Sequence, residues 1–241
     1  MSPTVDVAIV AWPVSPARLV YCQMVIEALR SNLLASRHTM RVAVSIGQER
    51  DPLRRWCGQE LTAYLDHIGI AYQLRLRRTQ ERLGFAMNEA VAMCDADYVL
   101  LVQDDHHLAC KLDLSDSIDL MEDTRGIDLV RFGWSTIRKL TPTTHPYRPG
   151  WLRVDLSGRW PYADNAHLRR RSFQDKFGKY DECSTHGDSE HAMVKRVRIE
   201  KALIVLPDRP TLFHSLGHEP ADFRTPRHKQ ILERLSGGQK R

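Results

Sequence analysis

No run of this 241-residue chain approaches the roughly 18 apolar residues that a membrane-spanning helix needs. A basic segment followed by a long apolar one is also missing from the N-terminus, so neither a span nor a secretory leader is expected, and the chain reads as cytoplasmic. Cysteine is scarce: the five residues Cys22, Cys57, Cys94, Cys110 and Cys183 are odd in number and widely scattered. None forms a C-x-x-C pair, which argues against a zinc ribbon, a dithiol redox motif or a disulfide framework and favours reduced thiols. Internal repeats are absent, and low complexity is confined to the end, where Gly237, Gly238, Lys240 and Arg241 predict a flexible tail over residues 236–241.

The composition is that of an ordinary globular domain, with 42% hydrophobic and 27% charged residues, which excludes a disordered chain. One domain over residues 1–235 is the simplest division, with a regular half at 1–110 and a less regular one at 111–235. The formal net charge of +5, with arginine-rich stretches such as Arg75, Arg77 and Arg78 or Arg169, Arg170 and Arg171, favours an anionic partner. Basic residues alternate with acidic ones along the helices and form no stripe interleaved with aromatics, so no nucleic-acid partner is expected. Nucleotide phosphates would satisfy the charge equally well.

Along the chain, residues 5–10 read as a short buried strand. Ser15 and Pro16 then supply a cap and a first-turn proline for a helix reaching about Ser36. Residues 41–46 give a second strand, and a polar loop leads to a second helix carrying Leu53, Trp56, Leu61, Tyr64, Leu65 and Ile68 at helical spacing. Tyr72, Leu74 and Leu76 alternate with polar residues, as in a strand near a sheet edge, and Leu83, Ala86, Met87, Ala90 and Val91 mark a third helix. These strand–helix units spell a doubly wound sheet with right-handed crossovers. Residues 127–132 read as a further strand, and residues 141–160, rich in Pro, Gly and Trp, as a long loop over the sheet.

The most informative stretch is Tyr98-Val99-Leu100-Leu101-Val102, which runs directly into Gln103-Asp104-Asp105-His106-His107. A strand apolar at every position is buried on both faces, and open α/β sheets bind ligands beyond the carboxyl ends of their strands. Two adjacent carboxylates there repel unless a cation sits beside them, which points to a divalent metal; an Asp-Asp pair can also serve as a turn or a helix cap.

The ordered motifs resemble a GT-A glycosyltransferase, similar to family 2, over roughly residues 5–218. The resemblance rests on Ala11-Trp12-Pro13 after the first strand, on Gly84-Phe85-Ala86-Met87-Asn88 with Arg82 ahead of it, and on Gln103-Asp104-Asp105 in the place of the family's Asp-x-Asp. Gln103 departs from that pattern, although an amide still hydrogen-bonds a ribose hydroxyl. Further on, residues 164–172, from Asp164-Asn165, resemble the acceptor-side strand, residues 177–182 the turn after it, and Gly187-Asp188-Ser189-Glu190 the opening of the helix that carries the family's catalytic base.

The resemblance implies an α/β, Rossmann-like GT-A fold with a mixed, mostly parallel central sheet flanked by helices. It implies transfer of a sugar from a nucleotide-diphosphate donor to a hydroxyl acceptor; inversion is inferred only from a plausibly placed base, and a retaining enzyme could use much of the same framework. Ala11, Trp12, Pro13, Asn88, Gln103 and Asp104 would face the donor, and Asp105 with His214 would hold Mn2+ or Mg2+. Glu190 or Asp188 would be the base, with Asp164 and Asn165 on the acceptor side. From position alone, Glu49 or Asp51 is the candidate for base or ribose, and Arg82 for phosphate. Trp134, Trp151 and Trp160 could stack against an acceptor sugar; core packing is their alternative. A nucleotidyltransferase is the rival of nearest chemistry, but it would normally show a Gly-rich basic loop where Ala11-Trp12-Pro13-Val14-Ser15 stands.

Overall fold

Seven consecutive buried residues form β1, Val5–Ala11, and the apolar run forms β5, Tyr98–Gln103, buried except at its last residue. The two lie side by side in parallel, with Val5 opposite Tyr98 and Val10 opposite Gln103. Residues buried on both faces of a sheet lose their alternation and become uniformly apolar, which is why both strands read so plainly. The computed structural model describes residues 3–34, 38–46, 51–76, 83–132, 144–158, 161–182, 188–208 and 212–216.

Between β1 and β5 the chain forms α1 (Pro16–Asn32), β2 (Leu33–Leu34), β3 (His38–Ile46), α2 (Pro52–Ile68), β4 (Ala71–Leu76) and α3 (Leu83–Ala92). After β5 come β6 (His106–Leu108), β7 (Leu112–Asp113), α4 (Ser115–Asp123), β8 (Ile127–Arg131), β9 (Thr144–Arg148) and β10 (Trp151–Val154). The chain closes with β11 (His167–Arg170), α5 (Phe173–Phe177), α6 (Asp188–Ile199), β12 (Leu203–Pro207) and β13 (Phe213–Ser215). Nine strands make the main sheet in the order β4-β3-β1-β5-β11-β8-β12-β10-β9. Only β11 and β10 run against the rest, so the sheet is mixed and mostly parallel.

Alternate residues of β5 feed two cores. Tyr98, Leu100 and Val102 pack on the face covered by α1, α2 and α4. Val99 and Leu101 pack on the face covered by α3, α5 and α6. No described helix is long and apolar enough to cross a membrane.

The helix expected to reach Ser36 ends at Asn32, because Leu33 and Leu34 leave it to pair with Leu112 and Asp113. The expected long loop over residues 141–160 contains a hairpin: β9 and β10 pair antiparallel and extend the sheet beyond β12. Its turn is Pro149-Gly150, with Gly150 at φ 78°, the left-handed position a type II turn requires. That dipeptide was the available signal, and the strands beside it are too short and too rich in Pro and Trp to show a period. The elements between His106 and Asp123 left no pattern that the sequence reading assigned.

Candidate active site

β1, β5 and β8 end on the same edge of the sheet, and antiparallel β11 begins there. The residues just past that edge form the candidate site. Asp104 is 2% exposed. Its Oδ2 accepts from the Trp12 backbone N–H at 2.6 Å and the Cys22 thiol at 3.2 Å, and its Oδ1 accepts from the Arg18 guanidinium. Burial, reinforced by Asp105 and opposed by Arg18, lifts its pKa to about 6. Asp104 thus fastens the loop after β1 to the end of β5. With both oxygens engaged in that way, it shapes the loop at residues 11–13 from within the protein.

Asp105 differs. Its Oδ2 accepts from Arg18 Nη1 at 3.1 Å, and its Oδ1 is shut off from solvent without a hydrogen-bond partner. The His106 ring lies 3.6 Å from that oxygen. β13 reaches the same place: the Leu216 backbone N–H donates to the Asp105 carbonyl at 2.7 Å, and His214 pairs with His107 across β13 and β6. The His214 side chain lies outside the described part of the structure. Among the described residues no three His, Cys, Asp or Glu side chains converge into a complete ion site. The leftover Asp105 Oδ1 is nevertheless a hard oxygen donor of the kind Mn2+ and Mg2+ prefer, so the residues fit a metal bound partly by its ligand.

The opposite wall is built on β11 and α6. Gln103 Nε2 donates to the Asp164 carbonyl at 3.0 Å, and the Asp164 N–H donates to Glu190 Oε1 at 3.0 Å. These two bonds tie the end of β5 to the first turn of α6, bringing the predicted residues Gln103, Asp164 and Glu190 together. The Asp164 Oδ1 is enclosed without a hydrogen-bond partner. Burial first, then the Glu190 charge, pushes the Asp164 pKa up to about 8, against the pull of Tyr162 and Arg169. Asp188 begins α6, but its side chain lies outside the described residues.

Beneath this pair is a buried polar layer that the sequence reading missed. Arg169 is 1% exposed; its guanidinium lies 4.9 Å from the Phe173 ring centre and 5.4 Å from that of Tyr180, and Nη1 donates to the Tyr180 hydroxyl. Burial, then Arg169, lowers the His167 pKa to about 3, so its imidazole is neutral. Its Nδ1 lies 2.7 Å from the Asn165 carbonyl, which requires the proton on Nδ1. Asn165 enters the site through that carbonyl. Arg131, fully buried at the end of β8, donates to the Pro161 carbonyl at 3.1 Å. Of the three arginines at 169–171, expected to favour an anionic partner, only Arg169 is internal: Arg170 is half-buried and pairs with Glu122 at 2.9 Å, and Arg171 is exposed and donates to the Asp95 carbonyl.

Other residues expected at the donor are engaged within the protein. Asn88 uses both amide hydrogens on the Tyr180 carbonyl and Glu182, and its oxygen accepts from the Tyr180 N–H and Gln174. No hydrogen-bonding capacity is left for a donor. The Gly84–Asn88 element instead docks the turn at residues 177–182, which explains why the two motifs occur together. Asp51 caps α2, with Oδ1 accepting from the Leu53 and Arg54 N–H groups at 3.0 and 3.3 Å.

Trp151 is half-buried against the core on β10, four strands from β5, or roughly 19 Å at about 4.8 Å per strand. Ala11 and Pro13 are buried and Trp12 is half-buried beside Asp104. Glu49, Arg82, Trp134 and Trp160 lie outside the described residues.

Strand order, direction and helix placement define a Rossmann-like GT-A fold. No family model matches the sequence, and no curated protein does either. Among solved structures, residues 1–349 of TarS from S. aureus align with a TM-score of 0.59 at 12% identity, over 89% of this chain and 60% of that one. The mannosyltransferase PcManGT from Pyrobaculum calidifontis, in complex with GDP-Man and Mn2+, gives 0.55 at 13% identity, over 87% and 58%. A CMP:2-keto-3-deoxy-manno-octonic acid synthetase complexed with CTP gives 0.55 at 16% identity, over 98% and 99%. The chain thus spans about 60% of the length of the first two.

Proposed function

We propose that this chain is a metal-dependent glycosyltransferase that moves a sugar from a nucleotide-diphosphate donor to a hydroxyl acceptor with inversion. The observation that carries the proposal is the pair of carboxylate groups gathered at one edge of the sheet, Asp104–Asp105 at the end of β5 and Asp164–Glu190 beside it, joined through Gln103, with the substrate crevice read between them. The fold neighbours support it, since TarS has been solved with UDP and with UDP-GlcNAc, and PcManGT with GDP-Man and Mn2+.

In this reading the loop at Ala11-Trp12-Pro13, fixed by Asp104, lies against the donor base. Gln103 sits where a ribose hydroxyl would be read. Asp105, with His214, would hold a divalent ion, which when bound neutralises the charge of the leaving diphosphate. Glu190, steadied by the Asp164 N–H, takes the proton of the acceptor hydroxyl as that oxygen attacks the face of the sugar opposite the diphosphate. Asp188, two residues before it at the start of the same helix, is the alternative base.

Thermal stabilisation by UDP, GDP and CDP and their sugars, each with Mn2+ or EDTA, tests the proposal on wild type and Asp105→Ala. At a ligand concentration near 100 times Kd the expected stabilisation is about 2.7 kcal/mol. For a chain of this size that is roughly 5–10 °C in Tm. A metal-dependent rise with one nucleoside diphosphate, lost in Asp105→Ala, is the expected result; no rise with any of them refutes the proposal.

One observation favours a second reading, a nucleotidyltransferase. The synthetase aligns over nearly the whole length of both chains, whereas the transferases extend well beyond this one. Stabilisation by CTP without any response to nucleoside diphosphates would favour it. The loop Ala11-Trp12-Pro13-Val14-Ser15, without a basic Gly-rich phosphate cradle, stands against it.

A further inference from the structure

Arg18 occupies the first turn of α1, with its own N–H donating to the capping Ser15 hydroxyl at 3.3 Å and no acidic residue in that turn. A cation there opposes the helix dipole, so the position calls for compensation. Asp104 and Asp105 supply it: burial works against the guanidinium charge, the two carboxylates outweigh it, and its pKa is raised. The two arms of the fork are unequal. Asp104 is held as well by Trp12 and Cys22, with its side chain 3% exposed, whereas Asp105 is 16% exposed and bonded to Arg18 through one oxygen. The Asp105 arm is therefore the one that can open.

A guanidinium on Oδ2, and an Oδ1 that accepts no hydrogen bond and has only the His106 ring 3.6 Å away, place an internal cation where a divalent ion would approach. We propose that Arg18 is the resident counter-ion of Asp105 and competes directly with the divalent metal, so that the ion binds only as the guanidinium lets go. The proposal rests on the metal-dependent reading above and adds a built-in antagonist to it. Two like charges a few ångströms apart repel by several kcal/mol at an effective dielectric of about 20, and even a third of that weakens binding about tenfold.

The test is a Mn2+ titration without nucleotide, following the free-ion electron paramagnetic resonance signal. It compares wild type, Arg18→Met, and Arg18→Met/Asp104→Asn. The double variant avoids stranding the buried Asp104 carboxylate and keeps the test valid where the single variant does not fold. The expected result is Mn2+ uptake about tenfold tighter or more in the variants, abolished by adding Asp105→Ala. Equal Mn2+ affinity in wild type and a folded variant overturns the proposal, as does tightening that survives Asp105→Ala. Repeating the titration with UDP and GDP separates the two ideas: tighter Mn2+ uptake with no effect of either nucleotide upholds the Arg18 competition while refuting the transferase reading.

Discussion

Glu190→Gln is expected to lower turnover by about two to four orders of magnitude with little change in donor affinity, because it removes the proposed proton acceptor and keeps the shape of the side chain. The amide retains an oxygen to accept from the Asp164 N–H, so the wall of the crevice should stand. An equal loss in kcat and kcat/KM is the kinetic signature to look for, and unchanged turnover would move the base to Asp188.

The neighbouring carboxyl adds a pH dependence that is readable without substrate. Asp164 faces Glu190, Tyr162 and Arg169, and its pKa in the folded protein is raised to about 8. A carboxyl shifted upward contributes its full stability below its unfolded pKa of about 3.9 and loses it as pH rises through the folded value. Between about pH 4 and pH 8 the unfolded chain ionises this group while the fold resists doing so. Asp164→Asn removes that resistance, so its Tm relative to wild type should climb across this window and level off above it. A difference that is flat with pH would refute the shift.

Gly84→Ala is expected to lower Tm by roughly 5–10 °C. A Cβ at this position would lie 2.2 Å from the Asp181 carbonyl oxygen and 2.9 Å from its carbon, and these are backbone atoms that cannot swing aside. Overpacking ordinarily costs about 1–3 kcal/mol, and a main-chain clash this close belongs at the top of that range or above. For a chain of this length each kcal/mol is worth about 2–4 °C.

The displaced turn also reaches α6, which carries the proposed base, because Arg196 of that helix donates to the carbonyls of Phe177 and Lys179. Activity should therefore fall further than a simple loss of folded protein explains, a point that single-turnover rates at a temperature well below Tm would check. A Tm within 1–2 °C of wild type, less than the ~2–4 °C expected per kcal/mol, would show that the turn yields easily.

The sequence alone determined the parts in which a residue and its reason lie close together. β1 and β5 were legible because strands buried on both faces must be apolar throughout, and β4 because an edge strand alternates. The start of α1 was legible because Ser15 with Pro16 caps and opens the helix, whereas Asp51, read as part of a polar loop, turned out to cap α2. The Asp104–Asp105 pair could be located as a site because it follows a buried strand.

What those residues do was decided by partners far away in the chain. Asp104 is a structural clasp because Arg18 lies 86 residues before it, and Asn88 grips a turn because Tyr180 lies 92 residues after it. Arg169 reads as surface charge in the sequence, and only the packing of Phe173 and Tyr180 around it makes it core. Local pattern records which face of an element is buried. Tertiary structure alone decides which polar group meets which, because hydrogen bonds and ion pairs depend on ångström distances that sequence separation does not encode.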